Sequence, residues 1–261
     1  MRTPILETQG ITMRFGGLVA VNNFSLQLGA TDLVGIIGPN GAGKTTIFNM
    51  ITGIYTPTEG RVFLDGKDIT ELRPAHITQS GICRTFQNIR LFKDLSVLDN
   101  IRLASHFRVD YGVMSSIFRT KQYHAEEARL VQEADKLLDI FGLKSKKHHL
   151  AKNLPYGEQR RLEIARALAT KPKVLLLDEP AAGMNPKETA DLTKLIRWVR
   201  DEFQIAILLI EHDMSLVMNV CEHIHCVDYG QLIASGGPKD IQSNPKVIEA
   251  YLGADAVAET K

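Results

Sequence analysis

The chain has 261 residues, of which 44% are hydrophobic and 23% charged, with a formal net charge of +1. That length suits one large domain, or one domain with a subdomain, and supplies enough apolar side chains for a full core. The charge balance gives no bulk attraction to nucleic acid or anionic lipid, the three scattered cysteines (Cys83, Cys221 and Cys226) are too few for a disulfide framework and favour a reducing compartment, and no window reaches the ~18 consecutive apolar residues of a spanning helix.

In chain order, the opening MRTPILETQG has no long apolar run and reads as neither a signal peptide nor a membrane span. Alternating or β-branched residues predict strands at 5–13 and 18–28, with turns at Gly16-Gly17 and Gly29. Residues 33–37 form a short apolar run of the buried-strand kind. A helix is expected at 43–52, with Gly53 as its C-terminal cap. A strand at 61–64 turns at Asp65-Gly66. From about 94 to 168 the pattern becomes helical, with helices at 96–105, 125–141 and after Gly157, and no strand. Beyond it, 174–177 and 205–210 read as buried strands. Between them, 187–202 is an amphipathic helix with Leu192, Leu195, Ile196 and Val199 at i, i+3, i+4 and i+7. A helix from Met214 and a strand at 224–227 follow. Apolar strands alternating with helices imply a mostly parallel sheet covered on both faces.

Three stretches carry chemistry. GPNGAGKTT, residues 38–46, fits G-x-x-x-x-G-K-S/T between an apolar strand and a helix, the context that separates a phosphate loop from an ordinary glycine-rich turn. Its glycines let backbone N–H groups curl around phosphate oxygens, and the helix N-terminus adds partial positive charge. Lys44 can reach the β- and γ-phosphates, and Thr45 can place its hydroxyl on Mg²⁺. VLLLDEP, residues 174–180, sets two carboxylates just beyond a buried strand, the end that lies beside the phosphate loop in such sheets. Asp178 is expected to hold Mg²⁺, directly or through water, and Glu179 to activate the attacking water as general base. LLIEHD, residues 208–213, places His212 after another apolar strand. There it is either structural or a hydrogen-bond partner of a γ-phosphate oxygen. The other histidines, His148-His149 among them, read as solvated surface without metal-ligand spacing.

In order, GPNGAGKTT, Gln87 in RTFQNIRLF, LPYGEQRR at 154–161, VLLLDEP and His212 resemble the ATPase subunit of ABC transporters over nearly the whole sequence. The resemblance implies an α/β P-loop NTPase: a mostly parallel sheet core, an antiparallel β subdomain, and a helical signature subdomain at about 94–168, within one ATPase domain over 1–261. It implies ATP and Mg²⁺ as cofactors. Gly38, Pro39, Asn40, Gly41, Ala42, Gly43, Lys44, Thr45 and Thr46 would cradle the nucleotide. Thr45, Gln87 and Asp178 would serve the metal, and Glu179, His212 and Gln87 the chemistry. Phe15, in MRFGG, matches the aromatic position that stacks on adenine, its plain alternative being strand packing. Gln87 matches the loop glutamine that contacts Mg²⁺ and the attacking water and links the site to the membrane subunit. AAGMN, residues 181–185, occupies the loop that crosses the dimer interface, with Asn185 where the family usually has aspartate.

LPYGEQRR stands where the family signature L-S-G-G-Q stands. In the family two ATPase subunits close head to tail, so Leu154, Tyr156, Gly157 and Glu158 would meet a nucleotide bound mainly by the partner. Pro155 lacks the hydroxyl and the N–H of the usual serine, which implies a second ATPase subunit that is a different chain with a fuller signature. LPYGEQRRLEIARALA, EPAAGMNPKET, LLIEHDM, the long segment 106–126 and the ending VIEAYLG resemble the branched-chain amino-acid uptake (LivG-like) group. This implies permease subunits, a periplasmic or extracellular solute-binding protein acting indirectly, no nucleic acid, and a peripheral place on the cytoplasmic face of the inner membrane. A lipopolysaccharide-export ATPase ends similarly but keeps the usual signature more closely. Soluble repair or translation ATPases are disfavoured because neither a long coiled coil nor a second ATPase half is present. A P-loop small-molecule kinase is disfavoured by Glu179 and the signature. The apolar patch at 113–118 reads either as packing onto the helical subdomain or as a partner surface.

Overall fold

Ten strands, ten α-helices and three short 3₁₀ helices account for the regular structure among the described residues, which in this computed structural model are 3–109 and 112–252. The protein divides into two compact units, one built from the segment up to Gln87 and from Lys173 onward, the other from Asn88–Pro172.

In the first unit, β1 (Leu6–Phe15), β2 (Leu18–Leu28), β4 (Glu59–Leu64) and β5 (Lys67–Asp68) form an antiparallel sheet in the order β2-β1-β4-β5. A six-stranded sheet takes the order β10-β9-β3-β8-β7-β6, from β3 (Leu33–Ile37), β6 (Ile82–Arg84), β7 (Val174–Asp178), β8 (Ala206–Ile210), β9 (His223–Asp228) and β10 (Gln231–Gly236). Only β10 runs antiparallel to its neighbour. Every residue of β3, β7 and β8 is buried, which is why these strands read as unbroken apolar runs rather than alternating ones. Their register decides the site. Asp178 lies opposite Ile210, and Ile210 opposite Ile36, so the three strands end level and the residues that follow emerge side by side.

The unit's helices are α1 (Lys44–Ile51), α2 (Pro74–Ser80), α7 (Pro186–Phe203), α8 (Met214–Val220), α9 (Pro238–Gln242) and α10 (Pro245–Leu252). α1 buries Ile47, Phe48, Met50 and Ile51 in a core shared with Leu6, Ile11, Phe24, Val34 and Leu208. Gly53, at φ 69°, follows the cap of that helix. α2, β5, β6, β10, α9 and α10 were not anticipated from sequence: each is short, and α2 buries only Ile77.

The second unit holds α3 (Val97–Ser105), α4 (Val113–Ile117), α5 (Lys121–Ile140) and α6 (Tyr156–Ala169), and no strand among its described residues. Ser96 caps α3 by accepting the Asp99 N–H, and Thr120 caps α5, which begins a turn earlier than its apolar periodicity predicts. Its core includes Val97, Ile101, Leu130, Ala134, Leu138 and Leu162. Asn100, fully buried, accepts the Phe92 N–H at 3.0 Å and donates to the carbonyls of Phe92 and Ser96, which ties the incoming segment to α3. Of the apolar patch expected at 113–118, the side chains of Val113 and Met114 lie outside the described set, while Ile117 and Phe118 are exposed.

β9 carries a titratable group inside the first unit. His225 accepts or donates through Nδ1 to the Ser235 hydroxyl at 3.1 Å and meets the Phe24 ring edge-on. Burial, and then the neighbouring His223, push its imidazole down from 6.5 to about 4. The folded protein therefore keeps His225 neutral where the unfolded form protonates it. This stability is complete above pH 6.5 and is lost as the pH falls toward 4. In urea titrations near neutrality and at about pH 4.5, the wild type is expected to lose about 2 kcal/mol more stability on acidification than His225→Gln. Equal losses would show that the imidazole is not held neutral.

Candidate active site

The loop between β3 and α1 turns through three glycines in the left-handed region, Gly38 (φ 147°), Gly41 (φ 81°) and Gly43 (φ 103°). The requirement is steric as well as conformational at Gly38: a Cβ there would lie 1.9 Å from the Val227 carbonyl oxygen. Lys44 is nearly buried and folds back into its own loop, donating from Nζ to the carbonyls of Gly38 at 2.7 Å and Pro39 at 2.8 Å. Burial pushes its ammonium below the ordinary lysine range, against the opposing pull of Glu179, Cys226 and Asp178. Pro39, Asn40, Gly41 and Ala42 line one wall of an open cavity of about 710 Å³. Thr45 and Thr46 lie in the first turn of α1. Phe15 ends β1, is 43% exposed and meets Tyr55 edge-on at 5.3 Å. Its free face suits stacking more than core packing.

Gln87, Glu179 and His212 come together. Gln87 donates from Nε2 to Glu179 Oε2 at 2.7 Å, and His212 Nδ1 lies 3.6 Å from the same oxygen. Glu179 adopts φ 44°, a left-handed conformation that costs a non-glycine residue on the order of 1–3 kcal/mol. Its own N–H, bonded to the Ile210 carbonyl at 2.9 Å, and the Gln87 amide hold it there. Asp178 is paired with Arg84 at 2.5 Å, both side chains nearly buried. Arg84 also donates to Asn49 Oδ1 at 2.7 Å and lies over the rings of Phe48 and Phe86. The Thr45 hydroxyl, the Asp178 carboxylate and the Gln87 amide carbonyl are hard oxygen donors of the kind Mg²⁺ takes beside phosphate. No group of three His, Cys, Asp or Glu residues that could hold a metal unaided occurs among the described residues.

Two of these groups were missed from sequence. Arg84 sits three residues before Gln87 in RTFQ, and a lone arginine gives no signal of burial. Glu211, fully buried, accepts the Ala181 N–H on Oε1 at 2.7 Å and the N–H groups of His212 and Asp213 on Oε2. Burial pushes its carboxyl up, against those three donors. It ties the loop after β7 to the loop after β8. At the end of the first of these loops Asn185 caps α7, exchanging bonds with Glu188 at 3.0 Å in both directions. The cap needs an acceptor oxygen rather than a charge, so asparagine replaces aspartate there without loss.

In the second unit, α6 starts at Tyr156 with Pro155 as its N-cap, one position earlier than a first-turn proline. Leu154 is buried and Tyr156 is 42% exposed. Gly157 follows Tyr156 in the first helical turn. The Glu158 N–H is bonded to the Pro155 carbonyl, and both oxygens of its side chain accept from Lys146 at 2.7 Å. Behind the helix start, Arg160 and Glu163 form a fully buried pair at 2.7 Å, and Glu163 also accepts the Arg90 N–H.

Residues 21–182 match the family described as ABC transporter, and residues 231–257 the family described as branched-chain amino acid ATP-binding cassette transporter. The protein is 47% identical to the high-affinity branched-chain amino acid transport ATP-binding protein BraF of Pseudomonas aeruginosa, over 97% of this chain and 99% of that one. It is 46% identical over the same shares to LivG of Escherichia coli (strain K12), a protein of the same description. Among solved structures it is similar to the ADP conformation of MJ1267, an ATP-binding cassette of an ABC transporter. There the TM-score is 0.83 and the identity 36%, covering 96% of this chain and 99% of that one.

The Arg84–Asp178 pair yields a stability prediction. Removing one partner of a buried pair strands the other charge, at about 3–5 kcal/mol. Arg84→Met is expected to lower the unfolding free energy by that amount, and adding Asp178→Asn to restore part of it. Guanidinium denaturation of the two variants tests this; a double variant no more stable than the single one would show that the pair is not coupled.

Proposed function

We propose that this chain, which belongs to the ABC transporter family, is the ATP-hydrolysing subunit of an importer for branched-chain or related amino acids. The observation that carries the catalytic part is the meeting of Gln87, Glu179 and His212 beyond three level strand ends, one of which runs into the Lys44 loop. The cargo follows from the likeness to BraF and LivG, since an ATPase subunit has no need to touch the solute. No helix among the described residues is long and apolar enough to cross a membrane, so the solute path belongs to permease subunits. We place the protein peripherally at the cytoplasmic face of the inner membrane, with a solute-binding protein acting through the permease from the far side.

Lys44 now bonds two backbone carbonyls. Phosphate oxygens carry the negative charge that carbonyls lack, so they offer its ammonium an ion pair as well as hydrogen bonds, and nucleotide draws it off its own loop. Phe15 offers its exposed ring to the adenine. With Oε2 of Glu179 held by Gln87, the carboxylate keeps its other oxygen to take the proton of the attacking water, and His212, 3.6 Å from Oε2, is close enough to sense the change in charge. Mg²⁺, when bound, supplies neutralisation of the phosphate charge, and Thr45, Asp178 and Gln87 are the residues that would hold it. Binding energy becomes motion only because nucleotide contacts two subunits in the closed state and one in the open state.

Glu179→Gln is expected to bind ATP normally and to lose hydrolysis, because an amide cannot accept the proton, while Lys44→Ala loses binding itself. Single-turnover cleavage near the wild-type rate in Glu179→Gln would remove Glu179 from the base role.

Our reading pairs this subunit with a different ATPase. Pro155 offers neither hydroxyl nor N–H at the signature, and one lost bond to a charged group is worth roughly 1.5–3 kcal/mol. The nucleotide site completed by residues 154–158 would be the weaker, and the site using Lys44 and Glu179 of this subunit the stronger. In the complete transporter, mutating Glu179 should therefore cost more hydrolysis than mutating the partner's equivalent glutamate. Equal losses, or an active complex with this ATPase alone, would refute the asymmetry.

A further inference from the structure

The ending VIEAYLG plays no part in the chemistry above, yet it reaches the phosphate loop. α10 places the Tyr251 hydroxyl 2.9 Å from the Gly38 backbone nitrogen, where its oxygen accepts that N–H. The ordinary partner of such an N–H at a strand end is a neighbouring strand or water; here it is a side chain 213 residues away in sequence. The loop has a second tie from the same stretch of sequence. The Gly230 N–H, in the turn between β9 and β10, donates to the Ala42 carbonyl at 2.9 Å. Gly38 is thus pinned three ways: its N–H by Tyr251, its carbonyl by Lys44, and its Cα against the Val227 carbonyl, which leaves no room for a side chain.

Only one of these ties must break when nucleotide arrives. If Lys44 turns to phosphate, the Gly38 carbonyl loses its donor, and what still holds Gly38 is the Tyr251 hydrogen bond on its N–H and the close Val227 contact. Burial pushes the Tyr251 hydroxyl up to about 12, so it stays protonated and neutral across the physiological range. A neutral oxygen there accepts the N–H without setting a negative charge beside the phosphate site.

We infer that Tyr251 is a positioning residue for the nucleotide site: through Gly38 it holds the phosphate loop in its binding shape while Lys44 exchanges the loop carbonyls for phosphate. Tyr251 lies in the segment, residues 231–257, that matches the second of the two families above, so this terminus gains a defined task in nucleotide binding. The inference rests on the reading of residues 38–46 as the phosphate cradle.

Tyr251→Phe removes the hydroxyl and keeps the ring. In the full-length protein, the Gly38 amide proton is expected to exchange faster with deuterium in Tyr251→Phe. The dissociation constants for ADP and for a non-hydrolysable ATP analogue should rise roughly three- to tenfold. In the assembled transporter KM for ATP should rise in step while kcat stays within about twofold. The melting temperature is expected to stay near wild type, since ring packing is kept. Tyr251→Leu separates packing from hydrogen bonding: if it alone weakens binding while Tyr251→Phe matches wild type, Tyr251 only packs and the inference fails. Lys44→Ala checks the underlying reading separately. If it leaves ADP binding intact, the cradle assignment falls and this inference with it. If it abolishes binding while Tyr251→Phe is neutral, the inference alone falls.

Discussion

The level ending of β3, β8 and β7 is the constraint on which the rest depends. Parallel strands in register put Ile36, Ile210 and Asp178 in one row, so the residues that follow each strand leave the sheet at one place. A one-residue slip of β7 against β8 would turn Asp178 to the other face and take Glu179 away from Gln87 and His212. Polar ties at the strand ends, Glu211 to the Ala181 N–H and the Glu179 N–H to the Ile210 carbonyl, reinforce that register. Behind those ties the strands pack through buried apolar side chains on both faces.

The price of the site is the number of ionisable groups brought out of water at that edge: Lys44, Asp178, Arg84 and Glu211 are all nearly or fully buried. Each is satisfied differently. Lys44 uses backbone carbonyls, Asp178 uses a guanidinium, and Glu211 uses three backbone N–H groups. The differences fit the tasks. A lysine held by neutral carbonyls can be drawn off by phosphate, since charged acceptors outcompete neutral ones. Glu211, held by the backbone of two loops at once, is a strut that links the Ala181 loop to the His212 loop. Glu179 is held by the Gln87 side chain in a disfavoured backbone conformation, the arrangement of a group kept ready rather than kept rigid.

Much of this was legible in sequence, and the reason is physical. The phosphate loop, β3, β7 and β8 announce themselves because a strand buried on both faces must be apolar throughout and a loop around phosphate must be rich in glycine. Helices α1, α3, α5 and α7 show because one face of each is apolar. What stayed hidden depends on partners distant in the sequence. β6 is three residues long and is a strand only because β7 offers it an edge. α2 buries one isoleucine and has no periodicity to read. β10, an edge strand with exposed residues, resembles a loop. Arg84 and Tyr251 look like surface residues until Asp178 and Gly38 stand beside them, 94 and 213 positions away.

The start of α6 shows how a signature can change chemistry while its helix stays in place. Leu154 remains a buried anchor, and Glu163, paired with Arg160, accepts the Arg90 N–H, so α6 is held from behind its tip. What changes is the set of groups at the tip. Proline can neither donate through its backbone nor accept through a side chain, leaving α6 without a side-chain cap. Glu158 would repel a phosphate if bare, but Lys146 engages both of its oxygens and cancels most of that charge. Attraction for an anion then rests on the helix dipole and the remaining backbone donors, which falls off within the first turn. On the proposed reading, a tip of this kind would still recognise a phosphate but grip it less firmly. In the proposed pair of unlike subunits, that difference would make the two nucleotide sites unequal without altering either phosphate loop.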